Sequence, residues 1–282
     1  MKIIECPRDA IQGLHPFIPT RDKVEYLNLL LQVGFDTLDF GSFVSPKAIP
    51  QMRDTGEIVG QLNLDDTNTK LLAIVANQRG ATDAAAFDEI DYLGYPFSIS
   101  ETFQLRNTNA TIEQSLERVK VIQELCVKRN KTLVIYISMG FGNPYGDEWN
   151  VNVVQHWVEV LTGLGIKIIQ LSDTVGVAQS DSIAYLFKQL IPKNPNTEIG
   201  AHLHTTPDTW LEKIESAYNN GCTRYDGTIK GLGGCPMAQD SLVGNMPSEH
   251  LIQFAQNHQI DLNFNMDAYN EATRMAQKLM IH

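Results

Sequence analysis

The stretch TEIGAHLH, residues 197–204, is an apolar, partly β-branched run that ends in two histidines. Its composition predicts a buried β-strand, along which side chains alternate between two faces. His202 and His204 therefore share one face, with Leu203 on the other. Two imidazoles directed at one place suggest a metal site. The alternative is that the pair consists of two ordinary polar residues that bind no metal.

Seven further runs of this kind are spaced along the chain. The predicted strands cover residues 2–5, 35–40, 71–77, 95–100, 132–138, 167–172 and 223–229. Helix-like segments follow near residues 21–34, 46–61, 81–88, 112–130, 150–164, 179–193, 206–220 and 247–258, and a further one at 265–282 closes the chain. Eight strand–helix units favour an α/β fold, a (β/α)8 TIM barrel with an additional C-terminal helix. No G-x-G-x-x-G follows the first strand, which argues against an open, dinucleotide-binding sheet. No linker or repeat is visible, so we expect one TIM-barrel catalytic domain over residues 1–282.

The composition is that of a globular protein, with 43% hydrophobic and 20% charged residues. The formal net charge of −11 argues against nucleic acid and anionic membranes as partners, because phosphate binding needs clustered cations. No apolar run could span a bilayer, and the first residues lack a signal-peptide core. Four cysteines form no C-x-x-C pair, which is typical of reduced thiols. We expect a cytoplasmic protein.

Polar residues gather where the predicted strands end, which is where barrel enzymes place their active sites. Asp9 follows the first strand and can supply an anionic oxygen to the same cation as the two histidines. Asn245, in a Gly-Asn pair, can add an amide oxygen without adding charge, although such a pair is also a turn signal. Asp9, His202, His204 and Asn245 would form a mixed oxygen and nitrogen site, suited to Mg²⁺ or Mn²⁺ as well as zinc.

Three more side chains could take part in chemistry. Arg8 could stabilise an oxyanion, or it could form a salt bridge with a carboxylate at the rim. Asp173, in LSDTVGV, could act as a base or cap the following helix. Cys235, in the glycine-rich stretch GLGGCP, fits a proton donor better than a nucleophile, because both histidines are better used on the metal. It could also be an incidental surface thiol.

Six stretches of this chain together resemble the 3-hydroxy-3-methylglutaryl-CoA lyase family of metal-dependent TIM-barrel lyases. They are PRDAIQ (7–12), GSFVSPKAIPQM (41–52), LSDTVGV (171–177), HLH (202–204), GLGGCPMAQ (231–239) and GNMPSE (244–249). The resemblance covers nearly the whole chain.

The resemblance implies that four residues bind a divalent cation, Mg²⁺ or Mn²⁺: Asp9, His202, His204 and Asn245. It further implies that Arg8 stabilises enolate charge on a thioester carbonyl. Cys235 would belong to a loop that transfers protons, and Asp173 would also lie in the site. The implied reaction is the retro-Claisen cleavage of 3-hydroxy-3-methylglutaryl-CoA to acetoacetate and acetyl-CoA, and the removal of the hydroxyl proton is assigned to Asp173 or His202. A homodimer is implied as well.

Residues near the ends of the second and third strands could meet such an acyl-CoA thioester. Ser42 and Lys47 could bind its carboxylate or its CoA phosphates, and Asn77 could also contact it, although Lys47 fits a solvated helix start too. Two other functions stay open. One is a related metal-dependent aldolase or a Claisen-condensing acyl-CoA synthase of the isopropylmalate type; the other is an inactive barrel that serves as a binding subunit.

The chain departs from the family pattern in several places. Ala10 replaces the glycine of PRDG, and the first strand reads IIEC where E-V-G is common, which leaves Glu5 out of step with a family glutamate. Thr205 stands where aspartate usually follows H-x-H. The spacing from Cys235 to Asn245 is one residue longer than expected.

Overall fold

Eight parallel strands close into a barrel in a computed structural model that describes residues 1–234 and 243–280. The strands are β1 (Lys2–Glu5), β2 (Thr37–Ser42), β3 (Lys70–Ile74), β4 (Ile90–Ser98), β5 (Thr132–Ser138), β6 (Ile168–Ser172), β7 (Glu198–His202) and β9 (Arg224–Gly227). Their order around the barrel follows the sequence, and β9 pairs with β1 to close it. This confirms the predicted (β/α)8 barrel. Two further strands, β8 (His204–Thr205) and β10 (Gly244–Asn245), form an antiparallel ribbon.

The helices surround this barrel. They are α1 (Pro7–Ile11), α2 (Thr20–Leu31), α3 (Thr55–Val59), α4 (Gln78–Ala84), α5 (Glu101–Thr108), α6 (Ile112–Lys128), α7 (Val151–Gly163), α8 (Ser180–Lys193), α9 (Trp210–Tyr218), α10 (Ser248–Asn257) and α11 (Met266–Met280). The last of them is the predicted additional C-terminal helix, and it packs against α2. In the described part of the chain, no helix is long and apolar enough to cross a membrane.

Several predicted elements differ from the structure in their bounds or their type. The helix predicted over 46–61 is instead a loop, a 3₁₀ turn at Pro50–Met52 and the short α3, because proline inside a helix removes a hydrogen bond and clashes with the preceding turn. The strand predicted at 95–100 begins at Ile90. TEIGAHLH divides at Leu203, so that His202 ends a barrel strand and His204 begins the ribbon.

The first strand shows how side chains divide between the two faces of the barrel wall. Ile3 belongs to the large apolar layer between the strands and the helices. Glu5 lies on that same face, because its carboxylate accepts hydrogen bonds from the Ser248 hydroxyl of α10 and from the Ile229 amide. By alternation Ile4 faces the lumen. The one-residue offset noted in the sequence therefore turns the glutamate away from the barrel interior.

Candidate active site

A cavity of about 530 Å³ opens at the carboxyl ends of the barrel strands. One half of its wall is apolar and comes from β3, β4 and the segment after β2: Val44, Ala48, Ile49, Pro50, Ile74, Ala76 and Pro96. Most of the polar wall comes from β5, β6, β7 and the segments that follow β1, β6 and β7: Arg8, Asp9, Gln12, His15, Ser138, Ser172, Thr174, His202 and His204. The cavity therefore offers charged and hydrogen-bonding groups on one side and a hydrocarbon surface on the other.

Arg8 lies between two carboxylates at the start of α1. Its Nη1 donates to Asp9 Oδ1 at 3.0 Å, and its Nε donates to Asp39 Oδ2 at 3.1 Å. Arg8 forms the salt bridge that was one of its two interpretations, and it also lines the cavity, where its role at an oxyanion stays a prediction. Burial raises the pKa of Asp39 to about 6, although Arg8 favours its ionised form. Asp39 is the arginine's main partner. Its position at the end of the second predicted strand was the only sequence signal for it.

The two histidines lie side by side, with ring centroids 5.5 Å apart. His202 Nδ1 is 2.9 Å from Asp226 Oδ2, whereas His204 Nδ1 is buried and has no hydrogen-bond partner among the described residues. Burial, together with His202, lowers the pKa of His204 to about 3. The His204 imidazole is therefore neutral at physiological pH, which is the form that can bind a cation.

Asp9 and Asn245 meet although they come from opposite ends of the chain. Asn245 Nδ2 donates to Asp9 Oδ2 at 2.7 Å and to the Leu232 carbonyl at 3.0 Å. The ribbon register also places Asn245 directly opposite His204. Burial opposes the ionisation of Asp9, but Arg8 and His202 hold its pKa below the ordinary value. The structure thus brings all four predicted ligands to one end of the barrel.

These four side chains fit a divalent cation in their chemistry. A carboxylate, an amide and two imidazoles are a donor set for Mg²⁺, Mn²⁺ or Zn²⁺, and the unpartnered, buried Nδ1 of His204 is an atom that a polar ligand would satisfy. Within residues 1–234 and 243–280, no three His, Cys, Asp or Glu side chains form a ready-made ligand group. Asp9 is hydrogen-bonded to Asn245 instead.

Asp173 takes part in a buried ion pair behind the cavity wall. Its Oδ2 accepts from Lys213 Nζ at 2.8 Å, and its Oδ1 accepts from the Ala178 amide at 2.9 Å. Lys213 Nζ also donates to the His204 carbonyl at 2.8 Å. The Asp173 carboxylate does not line the cavity, whereas the neighbouring residues Ser172 and Thr174 do. A direct role as base stays a prediction from the sequence.

The three predicted substrate-binding residues lie outside the cavity wall. Ser42 Oγ donates to the Ile74 carbonyl at 3.2 Å, and Asn77 caps α4 by accepting from the Gly80 amide at 3.0 Å. Lys47 is exposed, as expected for a solvated position. These local bonds account for Ser42 and Asn77, and their contact with substrate stays a prediction.

The glycines of GLGGCP explain how the chain approaches Asp9. Gly233 has a φ of +81°, and a Cβ there would lie 2.5 Å from the Asp9 carbonyl oxygen. Only glycine allows this approach. Cys235, the predicted proton donor, lies outside the described residues.

A closed barrel with a buried arginine, paired imidazoles and carboxylates at its carboxyl end defines an enzyme of the (β/α)8 class. The chain belongs to the HMGL-like family, whose model matches residues 2–276. This confirms the resemblance seen in the motifs.

Known relatives of this chain agree with that assignment. It is 31% identical over 274 residues to hydroxymethylglutaryl-CoA lyase YngG of Bacillus subtilis, covering 97% of this chain and 91% of the relative. The crystal structure of the Bacillus subtilis HMG-CoA lyase superimposes with a TM-score of 0.92 at 30% identity, over 99% of this chain and 93% of that chain. An HMG-CoA lyase from Acinetobacter baumannii in complex with coenzyme A and 3-methylmalate gives a TM-score of 0.90 at 28% identity, over 100% of this chain and 91% of that chain.

Proposed function

We propose that this chain is a carbon–carbon lyase that cleaves 3-hydroxy-3-methylglutaryl-CoA to acetoacetate and acetyl-CoA. The observation that carries the proposal is that Arg8, Asp9 and the two histidines line one cavity of an HMGL-like barrel, with Asn245 bonded to Asp9 and paired opposite His204. The match to hydroxymethylglutaryl-CoA lyases over nearly the whole chain supports the same reaction.

A divalent cation, Mg²⁺ or Mn²⁺, completes the proposed site, with four residues of this chain as its ligands: Asp9, His202, His204 and Asn245. When bound, the cation supplies Lewis-acid polarisation of the substrate oxygens. The neutral state of His204 and the ionised state of Asp9 prepare these two side chains as ligands.

In the proposed reaction a base, for which the sequence offers Asp173 or His202, takes the proton of the tertiary hydroxyl, and the bond between C2 and C3 breaks. The electron pair of that bond enters the enolate of acetyl-CoA, and C3 becomes the ketone of acetoacetate. Arg8 stabilises the enolate oxygen, because its fixed positive charge lines the cavity. Cys235 returns a proton to the enolate carbon. Asp173 also accepts from Lys213, which donates to the backbone carbonyl of His204.

The divided cavity suits an acyl-CoA thioester. The polar half can receive the carboxylate, hydroxyl and thioester oxygens. The apolar half offers a surface for the methyl group and for the hydrocarbon parts of the CoA arm. We also propose that the protein is a cytoplasmic homodimer, and that neither nucleic acid nor a membrane is its partner. The net charge of −11 supports the last two points.

The test is an assay of purified protein with MgCl₂ or MnCl₂ and 3-hydroxy-3-methylglutaryl-CoA, in which acetyl-CoA and acetoacetate are measured together. We expect equal amounts of both products. Arg8→Gln and Cys235→Ser should each lower turnover by about 100-fold or more while the far-ultraviolet circular dichroism spectrum is unchanged.

Two outcomes would contradict the proposal. Condensation of acetyl-CoA with a 2-oxo acid, without cleavage of the substrate, would identify a synthase of the isopropylmalate type. A folded protein that binds the substrate and releases no product would identify a binding subunit.

A further inference from the structure

One nitrogen of the His202 ring is already engaged by a side chain of this protein. Nδ1 lies 2.9 Å from Oδ2 of Asp226, whose side chain is 1% exposed. A carboxylate can only accept in this contact, so the imidazole donates its Nδ1–H. In the neutral ring Nε2 then carries the lone pair, and Nε2 is the atom left for a cation.

Asp226 is in turn fixed by a contact across the lumen. Gln170 Nε2 donates to Oδ1 of Asp226, and Gln170 is paired in register with Gly200 of β7. A Cβ at Gly200 would lie 1.7 Å from the Gln170 side-chain oxygen, so only glycine leaves room for this amide. Three strands, β6, β9 and β7, therefore hold one chain of contacts that ends at the His202 ring.

His204 lacks a comparable support. Its Nδ1 is buried without a hydrogen-bond partner in the described ranges, and its position comes from the backbone, through the ribbon with Asn245 and the Lys213 contact to its carbonyl. The two histidines of one H-x-H motif thus differ. A carboxylate sets the tautomer of His202, and no described side chain sets the tautomer of His204.

We propose that Asp226 is a positioning residue, which fixes the tautomer and the ring direction of His202 for a divalent cation, with Gln170 as its support. The inference rests on the proposed cation site. Carboxylates that bind the far nitrogen of a metal-ligating histidine raise metal affinity by about 10- to 100-fold.

The test compares Asp226→Asn with Asp36→Asn, which removes a carboxylate from the same barrel at the ion pair with Arg224, where the strands begin. Metal-free protein is titrated with Mn²⁺, and free Mn²⁺ is followed by electron paramagnetic resonance. We expect Asp226→Asn to raise the Kd about 10- to 100-fold and Asp36→Asn to leave it within about threefold. An unchanged Kd in Asp226→Asn would overturn the inference alone. Wild-type protein that binds no Mn²⁺ would overturn the cation site and the inference together.

A second measurement does not depend on the folding of the variant. Metal-free wild-type protein labelled with ¹⁵N-histidine reports ring protonation by NMR, and His202→Gln identifies the His202 signals by their loss. At a pH high enough for the imidazole to be neutral, we expect a protonated Nδ1 and an unprotonated Nε2. The opposite tautomer would overturn the inference, even if Asp226→Asn failed to fold.

Discussion

Buried carboxylates on the two faces of the barrel wall differ in what neutralises them. At the strand ends Asp9 and Asp39 share Arg8, and Asp173 is paired with Lys213. On the helix side, Glu5 is fully buried, and its partners among the described residues are a serine hydroxyl and a backbone amide. Burial raises the pKa of Glu5 to about 8, whereas the pKa of Asp9 stays below its ordinary value. A nearby cation opposes the effect of burial: it holds the pKa of Asp9 below the ordinary value, although burial still raises the pKa of Asp39 and Asp173, whereas Glu5 has no such cation among the described residues.

Removing the partner of Asp173 should have the largest effect on stability. Lys213→Met leaves the carboxylate buried without its cation, a change that costs about 3–5 kcal/mol in the free energy of unfolding. Urea unfolding at pH 7 measures it. The double variant Lys213→Met/Asp173→Leu removes both charges and should recover much of the loss; if the double variant were as unstable as the single one, pairing would not be the cause.

Removing Arg8, the cation that Asp9 and Asp39 share, should lower the catalytic rate. Arg8→Gln takes away the group assigned to the enolate oxygen, and we expect kcat to fall about 100- to 1000-fold. Steady-state kinetics with the CoA substrate measures the change. Arg53→Gln is the matched control, because Arg53 lies over the Phe17 ring and outside the cavity wall. An equal loss in both variants would point to a general effect of charge removal.

Glu5 should make stability depend on pH in the direction opposite to that of an ion-paired acid. Its pKa is raised from 4.5 to about 8 on folding, so the folded chain holds a proton that the unfolded chain releases. Its contribution to stability is therefore complete below pH 4.5 and is lost as the pH rises to about 8, with an upper bound of about 5 kcal/mol.

Glu5→Gln should remove this dependence, so that the variant gains stability relative to the wild type between pH 5 and pH 8. Urea unfolding at about pH 5, 6.5 and 8 measures the trend. Glu57→Gln, at an exposed position, should follow the wild type. A parallel pH profile for Glu5→Gln would mean that Glu5 is ionised inside the protein.

An exposed pair should show the smallest effect. Glu117 and Lys120 form an ion pair one helical turn apart, with side chains that are 69% and 41% exposed. We expect Lys120→Gln to change the free energy of unfolding by about 0.5 kcal/mol or less, because water already solvates both charges. A loss of stability comparable to that of Lys213→Met would show that burial does not explain the difference between the exposed and the buried ion pair.

Much of the barrel could be predicted from the sequence, because apolar, β-branched runs alternate with amphipathic segments. The short helices α1 and α5 were missed, since they directly follow strands and are too short for a periodic pattern. Ser100, whose side chain accepts from the Phe103 amide and caps α5, was the available signal. The break at Leu203 could not be predicted, because it depends on the pairing of His204 with residues far along the chain.

The candidate ligands could be proposed from the motifs, but the residues that hold them in position could not. Asp226 lies inside the predicted strand TRYDGTI, where a carboxylate has no visible partner. Its contacts to Gln170 and His202 depend on the register of three strands. The partnership of Asp173 with Lys213, 40 residues apart, likewise follows from the packing of α9 beneath the site. Residue type indicates chemistry, whereas strand register decides which groups meet.

The hydrogen bond between Asn245 and Asp9 joins residues 236 positions apart. During synthesis Arg8 and Asp9 leave the ribosome directly after the first barrel strand, and the ribbon that carries Asn245 emerges only after the last one. A nascent chain without this ribbon has the aspartate but not its amide partner. These four side chains can therefore come together only after the ribbon that carries Asn245 has been synthesised.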